Sequence, residues 1–346
     1  EFRRVLFRSP EVDLEPQTEF TEVMWAKPTD ILRRWKAHEI KVAPPVVTLL
    51  MEIERTLERC NRDMVEAADD IAQRLPGRRS ILFAHGVEVI PIKTVTLPPA
   101  DHTNCYLVGD PQGDYVMVDP AIRMREDMEA LATAVDRHQG KLIAVVFTHS
   151  HSDHLPDMSL LREAFDVPLW GSEHTSKSVP CERILADGEV LQLGEQAWEV
   201  LITPGHHPGH VCLFSPAGLV AGDMLAGIGT ILIPPHTGDM NEYLRQLERL
   251  KALQPHLVFP SHGPVVAIPD RLIQHYITHR LARHERVLDA VRNGKHHLED
   301  IATHAYADSP DAHPGLAVDQ TLSHLHAHLA DGNVAHTSEG WVLEGL

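Results

Sequence analysis

Short apolar runs alternate with amphipathic stretches through the middle of the chain. Residues 142–147 form a β-branched run that is typical of a buried strand, and residues 87–98 alternate between apolar and polar positions as strands do. Residues 104–121 and 190–200 each predict a hairpin. Helices are predicted over 123–138, over part of 158–173 and over 240–253. This order predicts an α/β protein with two sheets sandwiched between helices.

The pattern changes after Pro269. Residues 270–293 predict one long helix that ends at Asn293-Gly294, and two further helices come after it. The last residues predict a two-stranded hairpin that turns at Ser338-Glu339-Gly340. Three helices and a hairpin are the element order of a winged-helix domain, which we predict for residues 270–346.

Residues 10–81 predict a short N-terminal extension. It contains a strand-like segment at 20–26, a helix that begins near Thr29-Asp30, a break at Pro44-Pro45 and a long helix over 46–72. Residues 1–9 lack a starting methionine and differ in composition from the rest of the extension. We expect these nine residues to be an assembly scar that takes no part in the fold.

Length, charge and cysteine content limit the classes of protein to which this chain can belong. A length of 346 residues suggests two or three domains. The net charge of −18 disfavours broad binding to DNA or to an anionic membrane. The four cysteines are scattered, which predicts free thiols in a reducing compartment. With no apolar run of membrane length and no secretory signal in the sequence, we expect a cytoplasmic protein.

Residues that commonly bind metals follow the predicted strand at 142–147. His149 and His151 are two positions apart in an extended segment, so their side chains point the same way and can bind one ion. The chain then turns, which leaves Asp153 and His154 free to face a second ion. Imidazole and carboxylate groups suit zinc and similar divalent metals. A histidine-rich loop without function is the alternative in a chain that holds 25 histidines.

Three later segments repeat this arrangement. The sequence LITPGHHPGH would bring His206 or His207 to the same rim after an apolar run. The sequences GLVAGDM and LVFPSHG likewise end apolar runs on Asp223 and His262. Because loops at strand ends usually carry catalytic groups, these residues together predict a metal site.

The motifs HxHxDH, TPGHxxGH, GD and SHG occur in this order, and together they resemble those of the metallo-β-lactamase fold superfamily of hydrolases. The resemblance implies an αββα sandwich over residues 82–269. Residues 270–346, with YITHR in their first helix, resemble the C-terminal domain of the mitochondrial beta-lactamase-like endoribonuclease and its bacterial relatives. The extension resembles the end of a Nudix domain but lacks the Nudix box, so no Nudix activity is expected.

The resemblance also implies roles for individual residues. His149, His151 and His206 would bind one metal, and Asp153, His154 and His262 a second, with Asp223 bridging both. Zinc is the expected metal, with Mn²⁺ or Fe²⁺ as alternatives. His207 stands where relatives often have threonine and is expected to touch a ligand or to be exposed. His210 is expected either to hydrogen-bond within the site or to have a structural role. Asp119 is expected either to hold the HxHxDH loop or to cap the next helix.

The implied chemistry is hydrolysis. Two ions about 3.5–4 Å apart can share a hydroxide, because metal-bound water has a pKa near 7. Asp153 would orient that hydroxide and is therefore a predicted catalytic residue. His210 is the second predicted catalytic residue, through its hydrogen bonding within the site. The substrate is predicted to be either a small ester or thioester, or single-stranded RNA. A metal-binding or interaction protein without catalysis is a further alternative.

The predicted C-terminal domain bears on that choice. Residues 270–346 hold six Lys or Arg against eleven Asp or Glu, a net charge of −5. This is the wrong sign for a surface that follows phosphates, so we expect the domain to close one wall of the active-site cleft. If Arg280 and Arg283 face the cleft, they are candidates to bind an anionic part of the substrate. His324, His326 and His328 are expected to be partly buried or solvated rather than metal ligands.

Overall fold

The computed structural model describes residues 26–73 and 81–344, and the chain forms two compact units. Within the described residues, the first unit comprises 26–40 and 45–73, and the second comprises 41–44 and 81–344. The predicted hydrolase region and the predicted C-terminal region both lie in the second unit. The strand-like segment at 20–26 falls, except for its last residue, outside the described residues.

The helices of the N-terminal extension are α1 (Pro28–Lys36), α2 (Pro44–Arg59) and α3 (Met64–Gln73). The single helix predicted over 46–72 is wrong, because Asn61 and Arg62 adopt positive φ angles of 46° and 65° that end α2. The predicted break between the first two helices is present, but it lies at residues 37–43 and not at Pro44-Pro45. Proline fits the first turn of a helix, where its missing N–H is not needed, and Pro44 begins α2.

The first sheet of the second unit has seven strands in sequence order: β1 (Ile81–Ala84), β2 (Val87–Lys93), β3 (His102–Gly109), β4 (Asp114–Val118), β5 (Lys141–Val146), β6 (Leu169–Gly171) and β7 (Arg183–Ile184). Strands β1 to β4 pair antiparallel, and the predicted hairpin is β3–β4. Strands β4 to β7 pair parallel. Parallel neighbours need a crossover, which helices α4 (Arg125–Asp136) and α5 (Met158–Ala164) provide.

The second sheet has five strands in the order β12-β11-β10-β9-β8: β8 (Val190–Leu193), β9 (Gln196–Ile202), β10 (Val211–Ser215), β11 (Gly218–Gly222) and β12 (Val258–Pro260). Helix α6 (Met240–Ala252) connects the parallel pair β11 and β12. The chain ends with helices α7 (Pro269–Arg292), α8 (Leu298–Ala305) and α9 (Pro314–Ala330) and the hairpin β13 (Val334–Thr337) and β14 (Gly340–Leu343). These elements follow the predicted order, and Gly294 ends α7 with a φ of 74°.

The main hydrophobic core lies between the two sheets. Tyr106 and Val146 from the first sheet pack there with Trp198 and Phe259 from the second. A second apolar cluster joins the other face of the first sheet to α4 and α5, and a third joins the second sheet to α6 and α7. The second unit is therefore an αββα sandwich, as predicted. Every helix within 26–73 and 81–344 is too short or too polar to cross a membrane.

Trp198 provides a test of this core. Its side chain is fully buried between the sheets, so Trp198→Ala should lower the free energy of unfolding by roughly 3–5 kcal/mol. Urea unfolding followed by circular dichroism would measure the change. Val190→Ala is the control, because Val190 on the neighbouring strand β8 is exposed and its truncation should cost no more than about 0.5 kcal/mol. Equal effects of the two substitutions would contradict this account of the core.

Candidate metal centre

The predicted ligand residues lie just after the carboxyl ends of four strands. The segment from His149 to His154 follows β5, His206 follows β9, Asp223 follows β11 and His262 follows β12. Two hydrogen bonds fix these ends across the two sheets. The amide of Asn104 donates to the carbonyl oxygen of Pro260, and the backbone N–H of Val211 donates to the carbonyl oxygen of Thr148. The sandwich thus brings residues more than a hundred positions apart to one rim.

Three imidazoles and one carboxylate form a first cluster, namely His149, His151, His206 and Asp223. Nδ1 of His151 lies 3.0 Å from Nε2 of His149 and 2.9 Å from Nε2 of His206. The two Nε2 atoms of His149 and His206 are 3.3 Å apart. Zinc–nitrogen bonds of about 2.0–2.1 Å in a tetrahedral site place ligand nitrogens about 3.3 Å apart, so the spacing suits one divalent ion.

Asp153, His154 and His262 form a second cluster beside the first. Nε2 of His262 lies 3.4 Å from Oδ2 of Asp153 and 3.4 Å from Oδ1 of Asp223. Oδ1 of Asp223 is also 3.5 Å from Nε2 of His154, whereas its Oδ2 lies 3.4 Å from Nε2 of His206. One oxygen of Asp223 therefore faces each cluster.

Two buried atoms at this junction have no hydrogen-bond partner, Nε2 of His154 and Oδ1 of Asp223. Burying such atoms without a partner costs free energy, and a bound cation would satisfy both of them. The outward-facing ring nitrogens of His206 and His262 are occupied. Nδ1 of His206 donates to the carbonyl oxygen of Leu232 at 2.7 Å, and Nδ1 of His262 donates to that of His102 at 2.9 Å. These bonds turn both Nε2 atoms toward the clusters.

The charges of the two clusters differ. Burial lowers the pKa of His151 to about 4, and it lowers the pKa values of His149 and His206 as well. These imidazoles are therefore unprotonated, which is the form that binds metal. Burial also acts on His262, but the carboxylates of Asp223 and Asp153 outweigh it and raise its pKa to about 10. The second cluster thus favours positive charge, which a metal ion also supplies.

Asp119 lies beneath the second cluster, after β4. Its Oδ2 accepts hydrogen bonds from Nδ1 of His154 at 2.8 Å and from Oγ1 of Thr148 at 2.5 Å, and its Oδ1 accepts from the Thr148 N–H. The prediction that Asp119 holds the HxHxDH loop matches these contacts. The alternative, a cap for the next helix, is wrong, because Asp127 accepts from the N–H groups of Arg123 and Met124 instead.

His210 is fully buried behind Asp223 and does not line the cleft. Its Nδ1 pairs with Oγ1 of Thr203 at 2.8 Å, and its Nε2 accepts from the Asp223 N–H at 2.9 Å. Both nitrogens are occupied, so the ring is neutral with its proton on Nδ1. As predicted, His210 forms hydrogen bonds within the site, and one of them fixes the backbone of Asp223. Because the ring does not line the cleft, it does not reach a position where it could contact a substrate. Gly222 allows the approach, because a Cβ there would lie 2.4 Å from Nε2 of His210.

His207 belongs to neither cluster, but its ring contacts that of His151, with ring centroids 5.1 Å apart. Its Nε2 lies 3.1 Å from Oγ of Ser150, and its Nδ1 accepts from the Gly209 N–H. The side chain is buried, so of the two alternatives the structure favours contact with a ligand residue, and exposure is wrong. The sequence offers no signal for Thr148, Thr203 or Leu232, because their contributions depend on contacts made only in the folded chain.

The two ligand clusters border a cleft of about 280 Å³. One wall is the segment 95–100 between β2 and β3, and the other is the segment 226–234 after β11; we call these the front wall and the back wall. His151, Asp153, His206, Asp223 and His262 all reach the cleft. A cleft of this size is suited to a small molecule.

Arg280 and Arg283 do not line the cleft, so the prediction that they bind substrate is wrong. The Arg280 guanidinium is buried and donates to Oε1 of Gln320 and to the carbonyl oxygen of Ile231. The Arg283 guanidinium binds Asp308 and packs on the ring of Tyr306. Of the predicted histidine trio on α9, His324 and His328 are buried, and His326 is exposed and bonds the carbonyl oxygen of Pro235.

Comparison with known proteins identifies the family. The family model described as Metallo-beta-lactamase superfamily matches residues 98–262. A protein of Aquifex aeolicus described as uncharacterized is 30% identical over 160 residues, which cover 40% of this chain and 70% of that protein. A hydroxyacylglutathione hydrolase of Yersinia pestis is 30% identical over 46% of this chain and 61% of its own length. An atrochrysone carboxyl ACP thioesterase of Aspergillus fumigatus is 26% identical over 55% and 60%.

The chain belongs to the metallo-beta-lactamase superfamily of metal-dependent hydrolases. Among solved structures, a beta-lactamase domain protein from Burkholderia ambifaria superposes with a TM-score of 0.64 at 23% identity. The superposition covers 79% of this chain and 97% of that protein, and it supports the fold alone. The chain spans less than two thirds of the length of the two enzymes named above, so their substrates do not transfer to it directly.

Proposed function

We propose that this protein is a dinuclear hydrolase of small carboxylic esters or thioesters. The observation that carries the dinuclear assignment is the position of Asp223, which directs one carboxylate oxygen toward each of two separate ligand clusters. His149, His151 and His206 would hold one ion, and Asp153, His154 and His262 the other. Zinc is the metal that this donor set suits best.

Bound divalent ions would polarise the carbonyl group of the substrate and lower the pKa of water toward 7. Asp153 lies on the cleft, and the adjacent His262 holds the pKa of its carboxyl well below the usual range despite burial. An ionised carboxylate at this position can accept a hydrogen bond from water and orient it toward the substrate. His210 keeps Asp223 in place through its backbone N–H, which is a positioning role.

The character of the cleft favours an acyl substrate over RNA. Within the described residues, the cleft lining contains no lysine or arginine that could pair with a phosphate backbone. Residues 270–346 carry a net charge of −5, which also opposes binding of RNA. Two of the relatives are named as a thioesterase and as a hydroxyacylglutathione hydrolase, and an acyl group on glutathione is linked as a thioester.

The C-terminal helices and hairpin have a structural role, which is to support one wall of the cleft. We propose that they form a winged-helix-like domain that closes the back wall of the cleft instead of reading a nucleic acid. Gln320 supports this role, because its amide pairs with both the N–H and the carbonyl oxygen of Ile233 at 3.3 and 2.8 Å. Ser323 donates to the same carbonyl oxygen.

The test is one preparation assayed on a panel of acyl thioesters and on single-stranded RNA, with and without chelator. We expect thioester hydrolysis that a chelator abolishes and that added Zn²⁺ restores, with two metal ions per chain by elemental analysis. Thioester turnover that survives complete metal removal would contradict the mechanism. Cleavage of RNA with no turnover of any acyl substrate would favour the endoribonuclease alternative. Metal binding without either activity would favour a non-catalytic protein.

A further inference from the structure

The two walls of the cleft carry apolar side chains beside the two ligand clusters. Val95 and Leu97 on the front wall are 96% and 44% exposed, and Ile228 on the back wall is 43% exposed. Large apolar side chains gathered around the mouth of a site are costly to leave in water. The walls also approach each other, because a Cβ at Gly229 would lie 3.0 Å from Cδ of Pro99.

The back wall is fixed in place by helices. The hydroxyl of Tyr276 on α7 accepts from the Ala226 N–H at 3.1 Å and lies 3.4 Å from the carbonyl oxygen of Gly229. Arg280 holds the carbonyl oxygen of Ile231, and Gln320 pairs with Ile233. The same wall holds the predicted ligand His206 through the carbonyl oxygen of Leu232. The apolar surface is therefore built into the site and continuous with its ligands.

We infer that the apolar walls bind the acyl chain of the substrate, with Leu97 and Ile228 as residues that determine chain-length preference. This inference rests on the proposed acyl hydrolysis. With the carbonyl group at the ligand clusters, the part of the substrate between the walls meets methyl and methylene groups and no cationic partner. A straight saturated chain can pack against that apolar surface. Each methylene group that it buries strengthens binding of the substrate and of the transition state.

The experiment measures kcat/KM for acetyl, butanoyl, hexanoyl and octanoyl thioesters of one neutral thiol. For the parent protein we expect kcat/KM to rise with chain length, by up to about fourfold per methylene, which is the limit for complete burial of a CH₂ group. In Leu97→Ser and Ile228→Ser, kcat/KM for the longer thioesters, taken relative to that for the acetyl thioester of the same variant, should rise less steeply than in the parent protein. Both side chains are partly exposed, so the variants should fold; equal metal content and circular dichroism spectra would check this.

Leu329→Ser is the matched control, because Leu329 has the same 43% exposure as Ile228 but lies on α9 away from the cleft lining. It should keep the parent chain-length profile. A second series holds the acetyl group constant and lengthens the thiol. If only that series responds to Leu97→Ser and Ile228→Ser, the walls bind the leaving group and the inference is wrong.

Failure of the inference and failure of the proposed function give different results. Hydrolysis of acyl thioesters with no dependence on chain length, or with a dependence that both serine variants retain, overturns the acyl-chain site and leaves the hydrolase proposal standing. No hydrolysis of any acyl thioester by metal-loaded parent protein overturns the proposed function, and the acyl-chain site with it.

Discussion

Replacing Asp223 by asparagine is expected to lower kcat/KM for an acyl thioester by at least about a hundredfold. The two oxygens of Asp223 face different ligand clusters, and asparagine keeps an acceptor for only one of them. Its amide group would direct N–H donors at the other cluster and would remove the negative charge shared by both. Loss of several kcal/mol of transition-state stabilisation, at 1.36 kcal/mol for each tenfold change, corresponds to an effect of this size.

Metal content measured together with kcat separates this explanation from unfolding. We expect Asp223→Asn to keep its circular dichroism spectrum and to bind fewer than two ions per chain. Asp166→Asn is the control, because Asp166 is exposed after α5 and the same change of charge there should alter neither activity nor metal content. Near-parent turnover by Asp223→Asn with two ions bound would refute the assignment of Asp223 as the residue shared by the clusters.

The positions of the ligand residues could be predicted from the sequence because strand ends are visible in it. An apolar run marks a strand, and the polar residue after the run must lie at the rim of the sheet. This reasoning predicts that His149, Asp223 and His262 meet. It cannot choose between His206 and His207, which follow the same strand. Folding separates them, because His206 donates to the carbonyl oxygen of Leu232 while His207 turns to Ser150.

Partners that are distant in sequence account for most of what could not be predicted. Arg280 and Arg283 are charged residues that the sequence alone favours as cleft cations, yet each is buried against groups 22 to 49 positions away. No periodicity in α7 reveals that the carbonyl oxygen of Ile231 will need a donor. The break between α2 and α3 is hidden for a related reason. Asn61 and Arg62 adopt left-handed backbone conformations that only one of the two, asparagine, commonly favours.

The same dependence on distant contacts explains how the ligands are held. Asp223 is positioned by His210 from the start of β10, His262 by the carbonyl oxygen of His102 from β3, and His154 by Asp119 after β4. Each ligand therefore depends on a different strand of the sandwich. We infer that the metal site and the αββα core stabilise each other, since the contacts that orient the ligands also hold neighbouring strand ends together, and the contact of His262 with His102 joins the two sheets.

Asp119→Ala should show this coupling most clearly. Asp119 is buried at a strained φ of 47°, and its carboxylate accepts three hydrogen bonds from Thr148 and His154. Removing it leaves buried donors without an acceptor, so the free energy of unfolding should fall by roughly 3–5 kcal/mol in the presence of chelator. Nδ1 of His154 loses its partner at the same time. The affinity for the metal ion at the cluster of Asp153, His154 and His262 should fall about 10- to 100-fold.

Two measurements distinguish a role in orienting His154 from a role in the fold alone. Urea unfolding in chelator reports the structural loss, and competition with a chromogenic chelator reports the affinity for each ion. Asp119→Asn retains one acceptor oxygen and should lie between the parent and Asp119→Ala in both, whereas Asp166→Ala, an exposed aspartate, should change neither. A loss of stability with unchanged affinity for both ions would mean that Asp119 supports the core and does not orient His154. Reduced affinity confined to one ion would instead place that ion at the cluster of Asp153, His154 and His262.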